Sequence, residues 1–179
     1  MITLGICLLS LIYISEFIMQ RNTKGYSSDF NRDWDDYVDG FGGIGNKTYW
    51  MGLREIYDVT KSRSFSLKVI LKKNGQTKTI RWGSFRVDSG SNYRVQASSF
   101  QSGSSGLSEH LPGDGHRFTA RNRDQDDRSS YNCARHYSSG GGWWFCNCAS
   151  GFTNLNYGGS NGPKYYNDYY DESAMILER

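Results

Sequence analysis

The sequence predicts an α+β domain: a short helix, an antiparallel sheet and a C-terminal half made mostly of loops. Three observations predict it. Apolar residues first recur at helical spacing, then at alternating positions across residues 65–97, and after Ser98 the text turns to Gly, Ser, Asn and Asp with scattered aromatics. The 179 residues suit one domain with a real core. Apolar residues are only 37% of the chain, but 13 Tyr, 9 Phe and 5 Trp supply enough buriable area to separate it from disordered sequences. Lys and Arg number 21 against 18 Asp and Glu, and no run of five like charges occurs. That balance argues against nucleic acid or a membrane surface as an electrostatic partner.

Met1 to Ile14 is apolar and stops at Ser15-Glu16, too short to span a bilayer comfortably. Residues 1–16 read as a leader of signal-peptide type. A buried strand, a membrane anchor or a misjudged start are the rival readings, because no Lys or Arg precedes the run and Tyr13 spoils the small-x-small cleavage pattern. Asp29 to Tyr37 then places Phe30, Trp34, Tyr37 and Val38 on one helical face and ends at Gly40. From Thr48 the period changes. Tyr49 to Leu53 leads to Phe65, Leu67, Val69 and Leu71 alternating with polar residues, a turn at Asn74-Gly75, and a return through Thr77, Thr79 and Trp82. Ser84 to Val87 and Tyr93 to Ala97 continue the meander. Arg117 to Ala120 and Ala174 to Leu177 are short strand candidates within the loop-rich part. Trp50, Phe65, Leu67, Val69, Phe85 and Val87 are expected on the buried face, with Trp143 and Trp144 in the core because aromatics carry so much area.

Two motif matches fail on context. Gly40-Phe41-Gly42-Gly43-Ile44-Gly45 fits the dinucleotide pattern, but a helix precedes it and a strand follows, the reverse of the order needed. Gly158-Gly159-Ser160-Asn161-Gly162 fits a hydrolase elbow, yet no apolar strand feeds it and Pro163 follows where a helix is required. With three histidines and no catalytic constellation, an enzyme is not expected.

Cys133, Cys146 and Cys148 cluster near the C-terminus and Cys7 lies in the leader, so removing the leader leaves an odd number. One short-loop disulfide with a spare thiol is one reading. The other is zinc on Cys133, His136, Cys146 and Cys148, disfavoured by the single residue between the last two sulfurs. In Asn122 to Asp127, oxygen-bearing side chains recur at every second position, which suits a hard cation such as Ca2+. An EF-hand is excluded, since its Gly and closing Glu would fall on Asp127 and Cys133. A solvated acidic turn flanked by Arg121, Arg123 and Arg128 is the alternative. Asn46-Lys47-Thr48 makes Asn46 a glycosylation candidate.

Taken in order, Asp29-Phe30-Asn31-Arg32-x-Trp34-x-x-Tyr37-x-x-Gly40-Phe41-Gly42, Tyr49-Trp50-Met51-Gly52-Leu53-x-x-Ile56-Tyr57-x-x-Thr60, Ser84-Phe85-Arg86-Val87 and Tyr93 resemble the fibrinogen C-terminal globular domain family. Asp124-x-Asp126, Asn132-Cys133-Ala134, Gly142-Trp143-Trp144-Phe145, Cys148, Leu155-Asn156 and Met175-Ile176 continue the likeness, which runs from about Phe17 to Arg179. The resemblance implies a secreted recognition module with a central twisted antiparallel sheet over residues 17–110 and a loop-rich calcium and ligand subdomain over 111–179. It implies calcium on the carboxylates of Asp124 and Asp126 and the backbone carbonyls of Arg128 and Ser130. It implies a Cys133 to Cys148 disulfide, leaving Cys146 odd.

In lectin-like members such as ficolins and tachylectins the pocket grips acetyl groups on sugars. Tyr137 matches a pocket Tyr there, and Tyr165 or Tyr166 another. Ala149, however, stands where acetyl-binding members have a histidine, the stretch from Tyr157 to Tyr165 looks shortened, and Met1 to Glu16 replaces the family's N-terminal segment. Two functions follow as expectations. One is lectin-like binding of glycans or acetylated groups, as in innate immune pattern recognition. The other is a protein-interaction or adhesion module of angiopoietin or tenascin type, on an extracellular or cell-surface protein, or a shortened paralogue without a small-ligand site. Oligomerisation is left open.

Overall fold

The Asn74-Gly75 turn sets the frame. Both residues have positive φ, 51° and 75°, which is the backbone twist that joins two antiparallel strands tightly. The computed structural model describes residues 16–101, 103, 107, 109, 115–136, 140–148 and 152–179. Most of the apolar leader with Cys7, and the candidate ligand residues Tyr137 and Ala149, lie outside the described residues. In chain order come β1 (Glu16–Thr23), a 3-10 turn (Ser27–Phe30), α1 (Trp34–Asp39), β2 (Phe41–Gly42), β3 (Tyr49–Trp50), α2 (Leu53–Thr60), β4 (Phe65–Lys73), β5 (Gln76–Val87), β6 (Val95–Gln101), α3 (Cys133–His136), β7 (Lys164–Tyr165), β8 (Asp168–Tyr169) and β9 (Glu172–Glu178).

Seven strands form one antiparallel sheet in the order β2-β3-β1-β9-β4-β5-β6, and β7 pairs with β8 apart from it. The alternation read in β4 is real: Phe65, Leu67, Val69 and Leu71 are buried, and Leu177 and Met175 of β9 face Leu67 and Val69 in register. Trp82 and Phe85 in β5 are three residues apart, so strict alternation would send them to opposite faces. A register shift between the Phe65–Phe85 and Leu67–Trp82 pairs turns both inward. Trp50, Val87, Trp143 and Trp144 are likewise at most 1% exposed, and all belong to one continuous core. Fully burying each large apolar side chain contributes about 1.5–3 kcal/mol.

Several elements differ from the sequence expectation. The helix expected from Asp29 is a 3-10 turn followed by α1 from Trp34, whose N–H is capped by Asn122 Oδ1 at 2.8 Å. α2, with Leu53, Ile56 and Thr60 inward, was not anticipated. Ser84 to Val87 is the end of a single 12-residue strand. Arg117 to Ala120 forms only isolated bridges, Thr119 with Trp143 and Ala120 with Arg123. Glu16, placed in the leader, is the first residue of β1 and pairs with Glu178.

β1 also carries two buried amides that hold the loop-rich half. Gln20 Nε2 donates to Leu155 O at 2.8 Å, and Asn22 Nδ2 donates to Leu155 O at 2.9 Å and Tyr157 O at 3.1 Å. Loop carbonyls that no ladder satisfies thus find partners on a strand, as burial requires.

Candidate functional site

The loop between Phe118 and Cys133 has little secondary structure, so individual hydrogen bonds fix its shape. Thr119 and Trp143 exchange N–H to carbonyl bonds at 2.9 and 3.0 Å. Gln125 N donates to Thr119 Oγ1 at 3.0 Å and its side chain to Phe118 O at 2.8 Å. Asp126 then faces inward, 9% exposed. Its Oδ1 accepts the Arg128 N–H and its Oδ2 the Cys133 N–H, both at 2.8 Å. Burial pushes the Asp126 carboxyl above the usual carboxylate range; the two backbone donors oppose this, and the neighbouring Asp124 carboxylate adds to it.

This arrangement fits calcium. Asp124 and Asp126 repel each other, each Asp126 oxygen keeps a lone pair, and among the described residues nothing donates to the carbonyls of Arg128 or Ser130. Those donors are all oxygen, the type a hard cation takes six to eight of.

Cys133, the first residue of α3, is bonded to Cys148, with both residues buried and their Cα atoms 5.7 Å apart. A bridge over 15 residues contributes about 3 kcal/mol by restricting the unfolded chain. It also consumes two sulfurs of the zinc set Cys133, His136, Cys146 and Cys148, which removes that reading. Cys146 is a free, exposed thiol.

Of the candidate ligand residues, Tyr165 and Tyr166 are described. They differ in exposure: Tyr165 is 2% exposed and packs in the core, whereas Tyr166 is 39% exposed and its backbone N–H donates to Thr153 Oγ1 at 3.0 Å. Only Tyr166 of the pair presents a ring to solvent. The adjacent Lys164, not anticipated, is nearly buried, bonds Tyr166 O, and lies over the rings of Phe152 and Tyr169 at 4.7 and 5.4 Å. Burial lowers its pKa.

A polar cavity of about 450 Å³ that the sequence did not signal opens near α3, lined by Asn31, Asp33, Arg121, Asn122, Ala134, Arg135 and Gly140. Within it Arg121 Nε meets Asp33 Oδ1 at 2.6 Å, and that hydrogen bond holds Asp33 below the usual carboxylate range. Asn46 sits exposed in the turn after β2.

Comparison with known proteins gives this architecture a family. Residues 15–176 match the profile of the fibrinogen beta and gamma chains, C-terminal globular domain. Human fibrinogen C domain-containing protein 1 is 38% identical over 147 residues, covering 78% of this chain and 30% of that protein. Bovine fibroleukin is 34% identical over 159 residues, 86% of this chain and 33% of its own length. Mouse tenascin-R is 34% identical over 158 residues, 86% of this chain and 11% of its own length. The chain thus spans a third or less of these relatives. Among solved structures, the fibrinogen-like globe domain of human ANGPTL6 superposes with a TM-score of 0.76 at 27% identity, covering 90% of this chain and 76% of that one. The corresponding domain of human ANGPTL2 gives 0.73 at 30% identity, covering 91% and 79%. By sequence along nearly its whole length and by fold, the chain belongs to the fibrinogen C-terminal globular domain family.

Proposed function

We propose that the chain is a secreted, calcium-stabilised recognition module without catalytic activity. It holds glycans or acetylated groups on the loop-rich surface beside the Asp124–Asp126 loop. The observation that carries this reading is the placement of Asp126: buried, bonded by two backbone N–H groups, and set against the like charge of Asp124. Calcium on Asp124, Asp126 and the carbonyls of Arg128 and Ser130 would offset that repulsion and order the segment leading into α3. Tyr137, Ala149, Tyr165 and Tyr166 form the ligand wall in this reading, with Tyr166 supplying the exposed ring and Tyr165 supporting it from inside. The Cys133–Cys148 disulfide supports an oxidising, extracellular setting, where Asn46 carries glycan.

A second reading, binding to an extracellular or cell-surface protein, is favoured by the charged cavity at Asp33, Arg121 and Arg135. Ionic side chains of this kind pair with acidic and basic groups of a peptide more readily than with a neutral sugar. An array of glycans, acetylated compounds and peptides, probed with and without chelator, separates the two. Calcium-dependent retention of acetylated glycans supports the first reading, and retention of charged peptides alone supports the second.

A further inference from the structure

We propose that His116, Asp127 and Cys146 form a second cation site, distinct from the Asp124–Asp126 loop and suited to zinc or another thiophilic divalent ion. A ring nitrogen of His116, a carboxylate oxygen of Asp127 and Cys146 Sγ all lie within 4.8 Å of one another. A tetrahedral zinc with bonds of about 2.0–2.3 Å keeps its ligand atoms about 3.5 Å apart, so His116 and Asp127 are already close enough and Cys146 Sγ has at most about an ångström to close. The gap is free to close: Cys146 is exposed, and the side chain of Asp127 is 50% exposed.

The backbone beneath the ligands is fixed. Asp127 N donates to Cys146 O at 2.9 Å, which joins the end of the Asp124–Asp126 loop to the segment before Cys148, and Val95 N donates to His116 O at 3.1 Å. Asp127 Oδ2 already meets His116 Nδ1 at 2.9 Å. Two ligands therefore stand together on one side of the gap that Cys146 closes. Arg117 lies 3.8 Å from Asp127 Oδ1 and is the positive group that opposes a cation there. A thiolate and a carboxylate together balance a divalent charge and outweigh that one more distant guanidinium.

The donor set selects the metal. Thiolate with imidazole and carboxylate suits zinc, whereas calcium takes oxygen alone. Three protein ligands also leave a fourth position open to water or to an oxygen of a bound molecule. Cys133 and Cys148 are committed to each other, so Cys146 is an exposed thiol in a disulfide-bearing chain, and a bound metal would keep it from oxidising.

Cobalt(II) titration of the full chain tests the site without reference to ligand binding or to the calcium loop. One cobalt per chain is expected, with a sulfur-to-cobalt charge-transfer band that zinc abolishes and excess calcium leaves in place. Zinc should also slow alkylation of Cys146 in the unmodified protein. Cys146→Ser should remove the band, and His116→Gln should weaken binding by about tenfold or more. The proposal is overturned by absence of the band, by undiminished affinity in His116→Gln, or by isolation of the chain with Cys146 already in a disulfide.

Discussion

The backbone N–H of Gly142 donates to the hydroxyl of Tyr37 at 2.7 Å, across 105 residues of sequence. That hydroxyl donates in turn to Phe30 O at 2.6 Å, and the Tyr37 ring meets Phe41, Trp50 and Phe118 at 5.3, 5.7 and 5.0 Å. Burial drives the phenol well above its ordinary range, so it stays a neutral donor. Only Gly fits opposite it, since a Cβ at 142 would lie 2.7 Å from the Tyr37 ring. The pair fastens α1 to the loop-rich half.

Tyr37→Phe keeps the ring and removes the relay, leaving the Gly142 N–H and the Phe30 carbonyl buried without that partner. The expected cost is about 1–3 kcal/mol, or a fall in Tm of about 2–4 °C per kcal/mol. Calorimetry of the two proteins checks it, and an unchanged Tm would show the relay to be energetically idle.

Much of the sheet was legible in the sequence because alternation reports burial directly. Phe65, Leu67, Val69, Phe85 and Val87 all lie where the pattern puts them. What was missed has physical causes. Leu53, Ile56, Tyr57 and Thr60 recur at helical spacing, but the aromatic run before them reads as strand. β1 contains buried Gln20 and Asn22, polar residues that no hydrophobic pattern marks. In the loop-rich half, local shape follows from single hydrogen bonds such as that from the Tyr166 N–H to Thr153 Oγ1, which periodicity cannot register. Tyr165 and Tyr166 were therefore indistinguishable as ligand walls until one was found buried.

Trp144 sits in the core, 1% exposed, with Nε1 donating to Tyr93 O at 2.7 Å and its ring 5.1 Å from Phe118. Trp144→Ala should cost about 3–5 kcal/mol and lower the yield of folded protein. A stable variant that had lost only ligand binding would place this ring in the site instead.

Glu178 sets a pH response. Burial pushes its carboxyl up, but hydrogen bonds and charge from Lys68 and Arg81 outweigh this and hold it below the usual value. A depressed carboxyl contributes stability that is complete above the unfolded value, near pH 4.3, and is lost as pH falls through the folded one. Tm should therefore drop between about pH 5 and 3, and Glu178→Gln should flatten that part of the profile. Parallel profiles for the two proteins would contradict the assignment.

Millimolar calcium should raise Tm, and Asp126→Ala should abolish the rise. At a hundredfold excess over Kd the gain is about 2.7 kcal/mol. The variant also loses the acceptors of the Arg128 and Cys133 N–H groups, so its baseline should be lower as well. The informative quantity is the calcium-induced difference within each protein. A melting curve indifferent to calcium in the parent would remove the ion from the proposed function.

The last prediction concerns what Ala149 does to sugar recognition. Aromatic walls such as Tyr137 and Tyr166 suit the apolar face of a sugar or an acetyl methyl, but selectivity comes from buried polar partners. The loss of one such partner costs roughly 1–3 kcal/mol. Under the proposed function, Ala149 stands where the resemblance to acetyl-binding members puts a histidine, so a pocket walled by it would lack that polar group and be larger by most of an imidazole. Affinity for N-acetylglucosamine should then be weaker by a factor of about ten to a hundred than a complete pocket would give. Calorimetry with N-acetylglucosamine on the protein and on Ala149→His, both with calcium, measures this directly. Weak or undetectable binding by the parent and a gain of about tenfold or more on restoring the histidine are expected. Sub-millimolar binding by the parent would refute the weak pocket. No gain in a folded Ala149→His would refute the missing partner as its cause, and would move the search to the charged cavity at Asp33, Arg121 and Arg135.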